Sequence, residues 1–428
     1  MGSVERGRLL VLMGSGETSP TMVTVHREAA ARAGRAGSSA VLLETPYGFQ
    51  ENVADISVRA QAYFARSVGI EVEVAPGLRG ADTPTGEAAR GLARLRGADW
   101  VFCGPGSPTY ALSWWRGGPV ADALRDRVAA GTGVTVFASA AACTLGVLAV
   151  PVYEVYKVGA APHWTEGLDV LSELGLPVAV IPHYDNTEGG NHDTRFCYLG
   201  ERRLARMEKE LPSECAVLGL DEHTATIIEP DADRVSVRGR GGLTVRRDGS
   251  STRLPSGTVL SLTELRAMVA GRRTGHGGGD RGGRGDEVAT PADDVPTLTD
   301  VVRDAQRCFD VALEQRRVSG MVRAILDLDT AIAQWSADTE EDVGTPQARV
   351  VLCGLIVRMG DAVRMRDDDR AALAPVVEPL LRLRTRMRCE GAFAFADAVR
   401  AALGEGGVEV RDEDSGVSWR AGAAGPAT

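Results

Sequence analysis

A single hydrophobic core cannot run through the segment GRRTGHGGGDRGGRGDEVATPADDVP, residues 271–296. Its Gly repeats and mixed charges leave almost no apolar surface to offset the entropy of ordering it. The sequence therefore predicts a flexible linker over 271–297 with a separate body on each side, 1–270 and 298–428. A length of 428 residues agrees with at least two domains.

The two sides differ in hydrophobic pattern. Before the linker, short apolar runs (RLLVLMG, SAVLLETP, IEVEVAP, WVFCGPG, VTVFAS, PVAVIPHY and CAVLGLD) alternate with helical segments such as 87–97 and 119–131. Such alternation predicts an α/β body, with a mostly parallel, doubly wound sheet and helices on both faces. Residues 225–254 read instead as antiparallel strands with tight turns. After the linker, apolar residues recur at spacings of three and four over 299–317, 319–337, 347–363 and 376–407. That is the pattern of a helical bundle.

Composition narrows the function classes. With 44% hydrophobic and 25% charged residues, the chain has the makeup of a soluble globular protein. Its net charge of -10 disfavours nonspecific binding of nucleic acid. The seven Cys form no CxxC pair, so neither a disulfide framework nor a structural metal is expected. The N-terminus lacks the pattern of a signal peptide and no long apolar run follows, which makes the cytoplasm the expected location. No cofactor is expected, and no membrane partner.

Parallel sheets bind ligands at the carboxyl ends of their strands, and four such ends carry candidate chemistry. In 12-LMGSGETSPTM-22, Ser19 stands where a dinucleotide fingerprint needs its third Gly, and no Walker lysine follows. A tight turn is expected there. In 101-VFCGPGSPTYAL-112, Gly106 and Ser107 could direct backbone N–H groups at a substrate oxyanion, whereas Pro105 has none to offer. Cys103 reads as a small core residue. In 134-VTVFASAAACTLG-146, a β-branched run breaks into small residues at Ser139, as it would at a sharp strand-to-helix turn presenting a nucleophile. The fourth end, 178-VAVIPHYDN-186, places His183 just past a strand. Between them Glu154 is the lone carboxylate in VPVYEVYKVG, and burying it would be costly unless it had a role. Serine, acid and histidine in this order suggest a catalytic triad. His192 and His223 lie in polar segments and are expected to be exposed.

These residues resemble the serine peptidases that include aspartyl dipeptidase (peptidase E) and cyanophycinase, on a class I glutamine amidotransferase-like fold with flavodoxin-like layers. The similarity covers about 8–265. The family's G-x-S-A-G-A is echoed by 137-FASAAA-142, its N-P-H-[FY] by 182-PHY-184, and its Gly-rich loop by 104-GPGSP-108. A T-R-containing segment is echoed by 189-GGNHDTRFCYLGERRL-204 and a G-x-D-E-x-T-A segment by 219-GLDEHTATIIE-229. The resemblance implies that Ser139 attacks a carbonyl, that His183 takes its proton, and that Glu154, fifteen residues after the serine, orients the imidazole. It implies oxyanion donors at Gly106 and Ala140, with Arg195, Ser107 and Asn186 contacting substrate. The implied activity is a serine-type peptidase or amidase acting on small peptide or isopeptide bonds, aspartyl-linked ones among them. A glutamine amidotransferase needs a Cys nucleophile, and Cys143 comes four positions too late. Phe137 and Ala141 replace the family's elbow glycines, so a noncatalytic peptide- or small-molecule-binding module is the alternative. The expected partners are a small peptide substrate and a second copy of the chain.

The end of the helical half, 382–419, resembles the C-terminal region of cysteinyl-tRNA synthetases. Asp397, Arg400, Leu403, Val408, Val410, Asp412, Gly416 and Trp419 fit that frame. The synthetase's nucleotide-binding motifs are absent, so aminoacylation is not implied. An adaptor role in amino-acid or tRNA metabolism is. From residue 298 on, however, 17 Arg and no Lys face 22 acidic residues, a poor electrostatic footprint for RNA.

Overall fold

The computed structural model describes residues 7–33, 39–80, 85–129, 133–189, 192–272, 296–315, 317–336, 344–362, 370–413 and 416–421. The expected linker lies almost wholly outside them. The described residues form two compact units, one running to residue 272 and one starting at Pro296, and each is described by itself.

In the first unit the described strands are β1 (Arg8–Met13), β2 (Ala40–Leu43), β3 (Val72–Val74), β4 (Trp100–Cys103), β5 (Gly133–Ala138), β6 (Leu148–Ala149), β7 (Thr165–Glu166), β8 (Val178–Ile181), β9 (Ala216–Leu220), β10 (Thr224–Glu229), β11 (Arg234–Gly239), β12 (Gly242–Arg247), β13 (Ser250–Pro255) and β14 (Val259–Leu260). Strands β3-β2-β4-β5-β1 run parallel in that order, and β10, β11 and β14 extend the sheet antiparallel beyond β1. Burial on both faces explains why β1 is apolar from Leu9 on. Leu9, Val11 and Met13 pack with Val25, Ala29 and Tyr63 from helices on one face. Leu10 and Leu12 share the opposite core with Trp115, Leu124 and Val128.

The structure departs from a single wound sheet after β5. Both edges of β5 are taken, by β1 and β4, and only the five-residue helix Ser139–Cys143 separates β5 from the chain leading to β6. A parallel crossover needs a dozen or more residues, so the chain starts a second sheet, in the order β13-β12-β9-β8-β6-β7. It returns to the first sheet in the short step from β9 to β10, and β12 and β13 then join the second sheet before β14 ends on the first. That step positions the site described below.

Phe137, which stands in place of an elbow glycine, is wholly buried with its ring 6.2 Å from that of Trp115. It belongs to the core under the sheet. His26 is also wholly buried, 5.0 Å from the Phe64 ring, with Nε2 on the Glu17 carbonyl at 2.6 Å. Burial pushes its pKa down to about 4, against a smaller upward pull from that hydrogen bond. The unfolded chain therefore binds the proton first as pH falls. The stability that neutral His26 contributes is complete above pH 6.5 and is lost toward pH 4, by about 3 kcal/mol. A histidine-resolved NMR titration checks this, and an inflection of His26 near 6.5 would contradict it.

In the second unit, helices Leu298–Glu314, Val318–Trp335, Thr345–Ala362, Arg370–Cys389 and Phe393–Glu405 precede an antiparallel hairpin of β15 (Val408–Glu413) and β16 (Gly416–Ala421). The periodic stretch 376–407 is two helices, broken at Gly391, whose φ of 76° is left-handed. Phe309, Ile325, Leu328, Leu352 and Leu380 form a core shared with Val410 and Trp419 of the hairpin. Among the described residues no helix is long and apolar enough to cross a membrane.

Candidate active site

Extended backbone at Ala138 (φ -127°, ψ 154°) passes directly into Ser139, whose φ is +47°. A β-bearing side chain in the left-handed region costs roughly 1–2 kcal/mol, and such outliers cluster at functional sites. The turn is sharp because strand and helix meet with no loop between them. The Ser139 Oγ lies 2.9 Å from Nε2 of His183.

His183 follows β8 and also has a positive φ, +47°. Its backbone is tied down on two sides. Its N–H donates to the Gly14 carbonyl at the end of β1 (3.3 Å), and its carbonyl accepts from Cys197 N–H (3.1 Å). Cys197 lies within Phe196–Tyr198, three consecutive left-handed residues. Gly14 is required where it stands, since a Cβ there would lie 2.1 Å from the Asp221 carbonyl oxygen.

The carboxylate on His183 is Glu222, not Glu154. Glu222 Oε1 is 3.0 Å from His183 Nδ1 and accepts from Asn186 Nδ2 at 3.0 Å. The backbone N–H of Glu222 donates to Asp185 Oδ1 at 2.7 Å. Burial alone would raise the Glu222 carboxyl, but the hydrogen bond and charge of His183, with the Asn186 amide, hold it below the usual carboxylate range. An ionised Glu222 keeps the imidazole proton on Nδ1 and leaves Nε2 free to accept from the serine. Glu222 sits in the β9-to-β10 step, so the two sheets contribute different members of one hydrogen-bonded line.

Glu154 is partly buried and accepts from the Thr109 hydroxyl at 2.7 Å. Ser107, expected as an oxyanion donor and substrate contact, is committed to the fold. Its N–H donates to the Pro46 carbonyl (2.8 Å), and its Oγ caps helix Pro108–Trp115 by accepting from Tyr110 N–H (3.1 Å). Asn186, expected at the substrate, is wholly buried and holds Glu222. Arg195 is half exposed, bound through Nε and a terminal nitrogen to Asp193, and stacked over Phe196.

Gly106 has φ +126°, and a Cβ on it would lie 2.2 Å from the Pro46 carbonyl oxygen, so only glycine fits. Ala140 lies in the first helical turn after Ser139, where N–H groups have no intrahelical acceptor. Its neighbour Ala141 donates to the Gly104 carbonyl at 3.2 Å, which joins the Gly-rich loop to the serine's helix. Cys103 and Cys143 are buried, and burial pushes both thiols up, that of Cys143 to about 12. The loop Gly14–Ser19 packs on His223, whose Nδ1 is 3.0 Å from Thr21 Oγ1, so His223 is a packed residue and not an exposed one. His192 is exposed. Among the described residues no group of three or more His, Cys, Asp or Glu is arranged to hold a metal ion.

Comparison with known proteins gives two separate likenesses. Residues 370–420 match the family model of the cysteinyl-tRNA ligase anticodon binding domain. Among solved structures, the chain is similar to a peptidase from an acI-B1 Actinobacterium, at 20% identity and a TM-score of 0.48, over 60% of this chain and 97% of that one. It is also similar to a Listeria monocytogenes EGD-e protein assigned to peptidase E, at 15% identity and a TM-score of 0.38, over 54% of this chain and 98% of that one. No curated protein matches the sequence.

Proposed function

We propose that the first unit is a serine-type hydrolase of small peptide or isopeptide bonds. The observation that carries this reading is the line Ser139–His183–Glu222, with contacts of 2.9 and 3.0 Å, built on a serine in strained left-handed backbone. Ser139 Oγ attacks the substrate carbonyl carbon as its proton passes to His183 Nε2. The N–H groups of Ala140 and Gly106 receive the oxyanion. Collapse of the tetrahedral intermediate expels the amine, which leaves with the proton from Nε2. Water, deprotonated by the same nitrogen, then releases the acid and restores the serine. The peptidases among the similar structures agree with a bond of this kind, and aspartyl-linked dipeptides are the first substrates to try. The test is hydrolysis of Asp-Xaa and β-aspartyl dipeptides together with fluorophosphonate labelling of the full chain. The absence of both turnover and labelling of Ser139 would favour the binding-module reading.

For the second unit the match to an anticodon-binding domain favours a recognition role. The charge distribution opposes a strong one. Within 382-RLRTRMR-388, Arg384 is wholly buried in a two-point bond to Asp412, and Arg386 pairs with Asp329. Arg382 and Arg388 remain exposed. With a net negative unit, tRNA retention at physiological salt is expected to be negligible. Filter binding across a salt series measures it.

A further inference from the structure

Glu154 is the carboxylate that the proposed reaction leaves unused, and its surroundings assign it a task. The Thr109 hydroxyl donates to Glu154 Oε1 at 2.7 Å, and the Ser107 Oγ lies 2.9 Å from Thr109 Oγ1. A carboxylate only accepts, so it fixes the direction of the line: Ser107 O–H donates to Thr109, whose proton goes to Glu154. The Ser107 oxygen is then left to accept from Tyr110 N–H, the cap of helix Pro108–Trp115. On its other side Ser107 is anchored by its N–H to the Pro46 carbonyl. Gly106, the proposed oxyanion donor, is the residue between this anchored pair and Pro105. It is held against Pro46 with no room for a side chain.

Glu154 is itself fixed. It lies in the short helix Val152–Tyr156, its carbonyl accepts from Ala160 N–H (2.8 Å), and Tyr156 two residues on is stacked on Tyr198 at 4.7 Å. Its second oxygen is enclosed with no hydrogen-bond partner among the described residues. That burial is costly. A position needed only for packing would not retain it.

We infer that Glu154 is a positioning residue that holds the Gly106 oxyanion donor in place through Thr109 and Ser107. This rests on the hydrolase reading above. Oxyanion donors act on charge that develops in the transition state, so a displaced donor lowers kcat and leaves substrate binding nearly untouched. A shift of about 1 Å in such a group can cost about 100-fold.

The test is steady-state kinetics on the full chain with a hydrolysed dipeptide, for Thr109→Val, Thr109→Ser, Glu154→Ala and Glu154→Gln. Expected are losses in kcat of about 10- to 100-fold in Thr109→Val and Glu154→Ala, with KM within about twofold. Thr109→Ser, which keeps the hydroxyl, and Glu154→Gln, which keeps an acceptor, should return to within a few-fold of wild type. The conservative pair keeps the test valid if the harsher variants unfold. Wild-type kcat in Thr109→Val overturns the inference. So does a rise in KM at constant kcat, which would make Glu154 a ligand of the substrate. Undiminished turnover in a parallel Ser139→Ala sample would instead sink the hydrolase reading itself.

Discussion

Ser139→Ala abolishes fluorophosphonate labelling and lowers kcat by roughly 10⁴- to 10⁶-fold, and His183→Ala does nearly the same. The two effects do not add, because base and nucleophile act as one unit. The double variant is therefore expected to be no slower than either single one. Loss of fold is separated from loss of chemistry by Ser139→Gly. Glycine adopts φ +47° without the steric cost that serine bears, so this variant should be inactive yet more stable by about 1 kcal/mol. Denaturant unfolding and labelling on the same samples decide the matter. An inactive Ser139→Gly that is also less stable would argue against strain at this turn.

The second large effect concerns Glu222. Glu222→Gln removes the charge opposite the imidazole and is expected to cost about 10²- to 10⁴-fold in kcat. An opposite charge favours the protonated imidazole, so its removal should also move the acid limb of kcat/KM to lower pH. In the wild type the depressed Glu222 carboxyl contributes stability that is present above its unfolded pKa and lost as pH falls through its lower folded value. A pH–rate profile and acid unfolding of both proteins measure the two halves of the prediction. Asn186→Ala frees one side of Glu222 and should shift the same limb by less.

Much of this site is legible in the sequence, because strand ends announce themselves. Ser139 and His183 each follow an apolar run that stops abruptly, and the seven runs of that kind before the linker are strands β1 to β5, β8 and β9. The division into two sheets is not legible, since which edge a strand joins depends on whether both sides of β5 are already occupied. Glu222 is not legible for a related reason. It stands in Asp-Glu-His, three titratable residues in a turn, and only the step between sheets aims one of them at His183. The segment 219-GLDEHTATIIE-229 carries the signal, whereas the fifteen-residue spacing from the serine points to Glu154. Ser107 and Asn186 have the polar character of substrate contacts, but each spends its hydrogen bonds on holding another residue.

The step from β9 to β10 also decides which part of the chain completes the site. Ser139 and His183 precede Glu222 in the chain, and the carboxylate that meets the imidazole sits just before β10, which pairs with β1. Without that pairing the imidazole lacks the carboxylate that holds its proton on Nδ1. The proposed catalytic line is therefore completed by the antiparallel tail rather than by the parallel strands that carry Ser139 and His183.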